Sequence, residues 1–288
     1  MNTQKSLLGA GAALAVGLLI GLAGSHRGQS VGGIALFLLL VLLAYIVQWA
    51  VFVPSYLNRT EDFFDLTGSL TYQGIAVLAL ILADQRDART IILGLMVLVW
   101  AMRLGFFLFK RVRAAGGDSR FDKMKHDWAQ FLMTWTIQGL WITFTAGAAL
   151  AAITSGERAS FGVIGVIGTV TWLLGFGIEA LADRQKSAFR ADPANRGRFI
   201  TTGLWAWSRH PNYFGEIVLW TGMAIIAIPV LEGWQWATLI SPVFVAFLLT
   251  KVSGVPMLEK AADERWGGQD DYEAYKRSTP VLVLKPPA

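Results

Sequence analysis

Eight apolar stretches divide this chain, at about 7–24, 31–53, 66–83, 90–109, 128–153, 161–182, 213–231 and 236–258. Each is long enough, or nearly so, to cross the ~30 Å hydrocarbon core of a bilayer as a helix. Backbone polar groups have no water to bond in that layer, so each span must satisfy them internally. The expected fold is therefore all-α, a multi-pass transmembrane helical bundle with seven core helices and an extra N-terminal helix within 1–30. Only 16% of the 288 residues are charged, against about 25% in soluble domains, and no polar segment is long enough for a soluble domain. One integral-membrane domain, 1–288, is expected. The first span follows a lone Lys5 and ends in "GLAGS"; with seven more spans behind it, it reads as an uncleaved helix.

The chain has no cysteine, which excludes disulfides, thiolate metal sites and cysteine nucleophiles. The three histidines, His26, His126 and His210, lie far apart without metal-ligand spacing, so no metal is expected. The net charge of +5 sits in two loops, "KRVRAAGGDSRFDKMKHD" (110–127) and 183–210, each with six Lys or Arg. Clustering of this kind marks cytoplasmic loops and not nucleic-acid binding. Both termini and the loop at 54–65 then face the cytoplasm, and a bacterial inner membrane is the expected location. No repeat or low-complexity tract is present, and most of the scattered glycines read as sites of close helix packing.

Ionisable residues inside or at the edge of a membrane span usually serve a cavity or a partner. Glu179 and Asp183, four apart at the end of the sixth span, share a helix face. Arg190, Arg196 and Arg198 follow in a turn-rich loop, and guanidinium forks suit phosphate. In "SRHPNYFGE" (208–216), Pro211 suits the first turn of the next helix and Glu216 complements its dipole. Capping alone does not account for Arg209, His210 and Asn212 standing together. "NRTEDFFDLTGSLTYQ" carries Glu61, Asp62, Asp65 and Tyr72; Asp65 and Tyr72, seven apart, share a face. Arg103 and Gln138 are further polar residues within apolar spans.

"GLWAWSRHPNYFGEIVLWTG" resembles the C-terminal signature of the steroid 5α-reductase family, and is similar to the "RHPNYxG" of sterol reductases and the "RHPxYxG" of isoprenylcysteine and phospholipid methyltransferases. The likeness covers roughly 50–285 and is most specific from Glu179 to Glu216. It implies a reductase-like core at 54–285 with a cytosolic cofactor loop at 183–211, binding NADPH. A lipid-like enone would enter from the bilayer, and no nucleic-acid or protein partner is implied. By this resemblance Asp183 matches a family Asp, Arg190 and Arg198 match phosphate-gripping arginines, Asn212 matches the Asn that holds the nicotinamide amide, and Glu216 matches the Glu one turn later. Glu179 stands where the reductases have Asn, and Lys251 where they have a phosphate-contacting Arg. Trp205, His210, Tyr213 and Arg103 complete the expected cofactor set. Asp65 is the counterpart of the family's catalytic Glu, while the position of its catalytic Tyr falls at Trp100, which leaves Tyr72 or Glu61 to supply the acid.

Two other functions are weighed. An S-adenosylmethionine-dependent methyltransferase of lipid or prenyl-cysteine would share "RHPxY" and a "Y..Y...TP" that "YEAYKRSTP" (272–280) echoes, but its cofactor has no phosphate for Arg190 and Arg198. A transporter would show broken helices or inverted repeats near the midplane, and none is evident.

Overall fold

A computed structural model of the chain describes residues 2–84, 86–115 and 121–287. Of the basic stretch 110–127, residues 116–120 lie outside the described residues. Eight helical segments among the described residues are long and apolar enough to cross a membrane, matching the eight expected spans. The protein is a multi-pass helical membrane protein. Its chain forms two compact units, Met1–Gly165 with Ile226–Ser241, and Val166–Ile225 with Pro242–Ala288.

The first unit contains α1 (Thr3–Gly24), α2 (Leu36–Leu57), α3 (Phe64–Leu82), α4 (Ala88–Ala115) and α5 (Trp128–Thr154). Its centre is α5, against which α1, α2, α3 and α4 all pack. The C-terminal half of α5, "FTAGAALAAIT", is buried on every side. A helix without a polar face belongs in a core, and its small side chains let four neighbours approach. Its buried Thr143 and Thr154 hydroxyls donate to the carbonyls four residues back, both at 2.9 Å. Asp127 caps the start, accepting from the Ala129 and Gln130 amides at 3.1 Å.

Helix α1 packs through small residues as well. Ala13, Gly17, Gly21 and Gly24 are buried, and the Tyr45 hydroxyl donates to the Ala13 carbonyl at 3.0 Å. The second span starts at Leu36 and not near 31, because Ser30–Val31 pairs with Ile34–Ala35 in a small hairpin. Gly32 and Gly33 turn it at φ +58° and +82°, the two positive φ values that a type I′ turn requires. Arg89 is buried near the start of α4. Its guanidinium donates to the Ile226, Ala159 and Ser160 carbonyls at 2.9, 2.7 and 2.8 Å.

The second unit is built on α6 (Gly162–Ala191) and α7 (Pro211–Ala227), with α8 (Ile240–Phe247), α9 (Gly254–Trp266) and α10 (Asp270–Ser278) after them. Helix α6 has 30 residues, about 45 Å of helix, so it outruns the hydrocarbon layer. The charged loop expected from 183 is thus helical as far as Ala191. "DRQKSAFRA" is made largely of good helix formers, and the helix stops where Pro193 removes an amide donor. Helices α6 and α7 meet at backbone distance. A Cβ on Gly215 would lie 2.6 Å from the Glu179 nitrogen and the Gly175 oxygen, and one on Gly222 would lie 2.6 Å from the Trp172 nitrogen. Leu248–Val252 form a π turn ahead of α9.

Two measurements check this packing. A Cβ on Gly175 would lie 2.6 Å from the Gly215 carbonyl oxygen, whereas one on Gly177 meets nothing within 4 Å. Gly175→Ala is expected to destabilise the detergent-solubilised protein by about 1–3 kcal/mol, and Gly177→Ala to be neutral or slightly stabilising; equal melting temperatures would contradict the backbone contact. Arg89→Met keeps the stem but strips three carbonyls of a charged donor, and should cost more than about 3 kcal/mol, read by the same melt.

Candidate functional site

In the second unit the end of α6 and the start of α7 carry the candidate cofactor residues. Asp183 is buried, and the Asn212 amide nitrogen donates to its Oδ1 at 3.2 Å. Glu179, one turn earlier on the same face, is also buried, with its backbone nitrogen against Gly215. Glu216, one turn beyond Asn212, is half-buried. Arg190, in the last turn of α6, and Arg198, beyond a short 3-10 turn, are exposed, as is Lys251 in the π turn.

The signature stretch is held from several sides. Ser208 Oγ accepts from the His210 amide at 3.1 Å and donates to the Leu282 carbonyl at 2.9 Å. Pro211 then opens α7, as the sequence predicts. Glu259 on α9 is clasped by both residues before the proline. Arg209 Nη1 lies 2.5 Å from Oε2 and His210 Nε2 lies 2.7 Å from Oε1. A carboxylate facing Nε2 makes that nitrogen the proton donor, which fixes the tautomer when the ring is neutral. The His210 Nδ1 is buried and has no hydrogen-bond partner among the described residues. The imidazole stacks on Tyr213, with centroids 5.6 Å apart and planes 8° apart. The Tyr213 ring in turn fills the space that a side chain on Gly254 would occupy.

Trp205 anchors the loop to α6. It is buried, its indole donates to the Ala182 carbonyl at 3.0 Å, and Lys186 Nζ stands 4.5 Å from the ring centroid. The Leu204 amide donates to Gln185 Oε1 at 3.0 Å. Tyr275 of α10 donates to the Trp205 carbonyl at 2.7 Å, and burial raises its phenol above the usual range, which keeps it a donor. Tyr272 donates to Asp263 Oδ1 at 3.0 Å, and Lys276 reaches the same oxygen at 2.6 Å. The Lys276 ammonium is raised by that bond. The tail closes the arrangement, with the Arg209 amide donating to the Pro280 carbonyl at 2.9 Å and the Lys285 amide to the Trp207 carbonyl at 3.0 Å.

The sequence reading missed Glu259. Its signal was available: Glu259 and Asp263 stand four apart beyond the last apolar residues, and both turn toward partners elsewhere in the second unit. A polar face on a helix that follows a span marks contacts to be sought.

The candidate catalytic residues, with Arg103, belong to the first unit. Glu61 precedes α3, is buried, and accepts from Lys125 Nζ at 2.9 Å. That bond raises the Lys125 ammonium above its ordinary value. Asp65 is in the first turn of α3. Tyr72 is buried and meets Trp100 edge to face, with centroids 5.1 Å apart. Arg103 lies on α4, half-buried, one turn beyond Trp100. No group of His, Cys, Asp and Glu suited to a metal ion occurs among the described residues.

Residues 51–279 match a family described as proteins of unknown function, DUF1295; α1 and most of α2 precede the match. No curated protein and no solved structure matches the chain. The match spans most of the chain, and the protein belongs to the DUF1295 family.

Proposed function

We propose that this protein is a membrane-embedded, NADPH-dependent reductase of the C=C bond of an α,β-unsaturated ketone, carried by a steroid-like or other isoprenoid lipid. The observation that carries the reading is the Asn212–Asp183 hydrogen bond, with exposed Arg190 and Arg198 on the segment that joins its two partners. Asp183 takes the Asn212 amide nitrogen, so Asn212 offers its carbonyl oxygen to a carboxamide donor. The arginine forks suit a pyrophosphate or a 2′-phosphate, and Lys251 adds a point charge. Glu259 and the C-terminal tail hold this stretch before any ligand arrives, which lowers the cost of ordering on binding. The resemblance of "RHPNYFGE" to the steroid 5α-reductase signature points the same way.

When bound, NADPH supplies a hydride to the β-carbon of the enone. The protein's part is to orient the substrate, exclude water and stabilise the charge that grows on the ketone oxygen. Tyr72, or Asp65 in its carboxylic acid form, donates to that oxygen. Tyr72 takes this role from beside Trp100, which the resemblance puts at the catalytic Tyr and whose indole cannot act as the acid. Glu61, bound to Lys125 as a carboxylate, is the weakest donor of the three. The methyltransferase alternative shares "RHPxY" and "YEAYKRSTP", whose Tyr272 and Tyr275 hydrogen-bond to Asp263 and Trp205 here; Arg190 and Arg198 weigh against it, because S-adenosylmethionine has no phosphate for them.

Thermal melting of the purified protein with NADPH, NADH and S-adenosylmethionine tests the reading. A ligand at about 100 times its Kd adds roughly 2.7 kcal/mol to the native state. Stabilisation by NADPH and not by S-adenosylmethionine is expected; the reverse would install the methyltransferase in its place. Asn212→Ala should abolish enone reduction in a protein that still folds, and unchanged turnover would remove Asn212 from the site. Replacing Arg190 and Arg198 by Ala should weaken NADPH more than NADH where either arginine meets the 2′-phosphate, whereas equal weakening moves both to the pyrophosphate.

A further inference from the structure

Within the first unit, two amide side chains, Gln48 buried and Gln138 half-buried, lie along one side of α3. Gln138 of α5 donates through Nε2 to the Phe64 carbonyl at 3.1 Å. Its amide lies over Gly68, where an added Cβ would stand 2.7 Å from Nε2. Gln48 of α2, fully buried, donates through Nε2 to Thr71 Oγ1 at 2.9 Å. The Thr71 hydroxyl is itself committed as a donor to the Thr67 carbonyl at 2.7 Å.

These partners fix which way each amide faces. Turning Gln138 over would set its oxygen against the Phe64 oxygen, two acceptors together. Turning Gln48 over would set its oxygen against a hydroxyl whose proton is already given away. Each amide must therefore present its carbonyl oxygen elsewhere. Both of these Oε1 atoms are buried and have no hydrogen-bond partner among the described residues. A buried acceptor without a donor is costly, and native proteins answer such a site with water or a ligand.

The position of Gln138 decides between the two. Asp65, Gly68 and Tyr72 stand at i, i+3 and i+7, on one face of α3. Gln138, resting on Gly68, thus lies between the two candidate acids. A ketone carries only acceptors and cannot satisfy an amide oxygen; the partner must bring an O–H or N–H. A neutral hydroxyl is the least costly donor to carry through a bilayer, because a charged ammonium would have to be desolvated.

We propose that Gln138 is a substrate-specificity residue whose Oε1 accepts from a hydroxyl group on the lipid substrate, with the Gln48 amide offering a second acceptor one turn along α3. The substrate class narrows to a hydroxylated isoprenoid or steroid-like lipid. This rests on the reductase reading only in taking Asp65 and Tyr72 as residues that face substrate. Gly68 is part of the device, since any side chain there would push the Gln138 amide aside.

The test uses the full-length protein in detergent and two ligand pairs that differ in one donor: 4-hydroxyandrost-4-ene-3,17-dione, whose hydroxyl adjoins the enone ketone, with androst-4-ene-3,17-dione, and farnesol with its methyl ether. Affinity is read by equilibrium binding, with and without NADPH. In at least one pair the hydroxylated member is expected to bind at least tenfold more tightly. Gln138→Leu should erase that preference while the partner that lacks the donor binds as before. Gly68→Ala displaces only the flexible end of Gln138, and should reduce the preference in a protein that still folds. No preference in the wild type, binding of no probe at all, or an undiminished preference in both variants overturns the proposal. A NADPH effect without a hydroxyl preference would sink this inference and leave the reductase reading standing; a hydroxyl preference without any NADPH effect would do the opposite.

Discussion

Close approach of helix backbones is the constraint on which this structure rests. Between helices in lipid there is no hydrophobic driving force to spend, since the solvent is as apolar as the side chains, so association comes from packing and hydrogen bonds. Gly175, Gly215 and Gly222 let α6 and α7 touch main chain to main chain. That contact sets Glu179 against α7 and brings Asn212 within reach of Asp183. Ala13, Gly17 and Gly21 do similar work on α1, and the alanine-rich half of α5 does so at the centre of the first unit.

Once the spans are close, the polar groups between them must find partners or remain costly. Most find them nearby. Arg89 collects three carbonyls, Gln48 and Thr71 pass a hydrogen bond to Thr67, and Glu259 takes both Arg209 and His210. What is left over is informative because so much is satisfied. Among the buried atoms without hydrogen-bond partners in the described residues are the His210 Nδ1 in the second unit and the amide oxygens of Gln48 and Gln138 in the first. The first sits in the stretch that resembles a cofactor site, and Gln138 sits between two candidate acids.

Much of this was legible in the sequence, and the exceptions have physical causes. Apolar length alone located eight spans to within a few residues at most ends. It erred at Leu36, where Gly32 and Gly33 made a turn inside an apolar run, and at Asp183, where charged residues of good helix propensity continued α6 for two more turns. Charge marked 183–210 as a loop because hydropathy registers the bilayer boundary, whereas a helix ends where its backbone bonds end. Trp205 stands in the signature by sequence, but that its indole bonds to the Ala182 carbonyl follows from the packing of the loop on α6.

The sequence by itself determined the membrane class, the number of spans, the absence of thiol chemistry and the stretch that carries the family likeness. These follow from local composition, residue spacing and the thickness of a bilayer. Only the tertiary structure decided that Glu259 is the common partner of Arg209 and His210, that the C-terminal tail pairs with residues 207–209, that Tyr72 meets Trp100, and that Gln138 rests on Gly68. Each of these joins residues distant in the chain, and hydrogen bonds of this kind depend on where helices cross and how they are rotated. Crossing and rotation are set by the small residues at each contact, and which of the 30 glycines lie at a contact is decided only when the helices are packed.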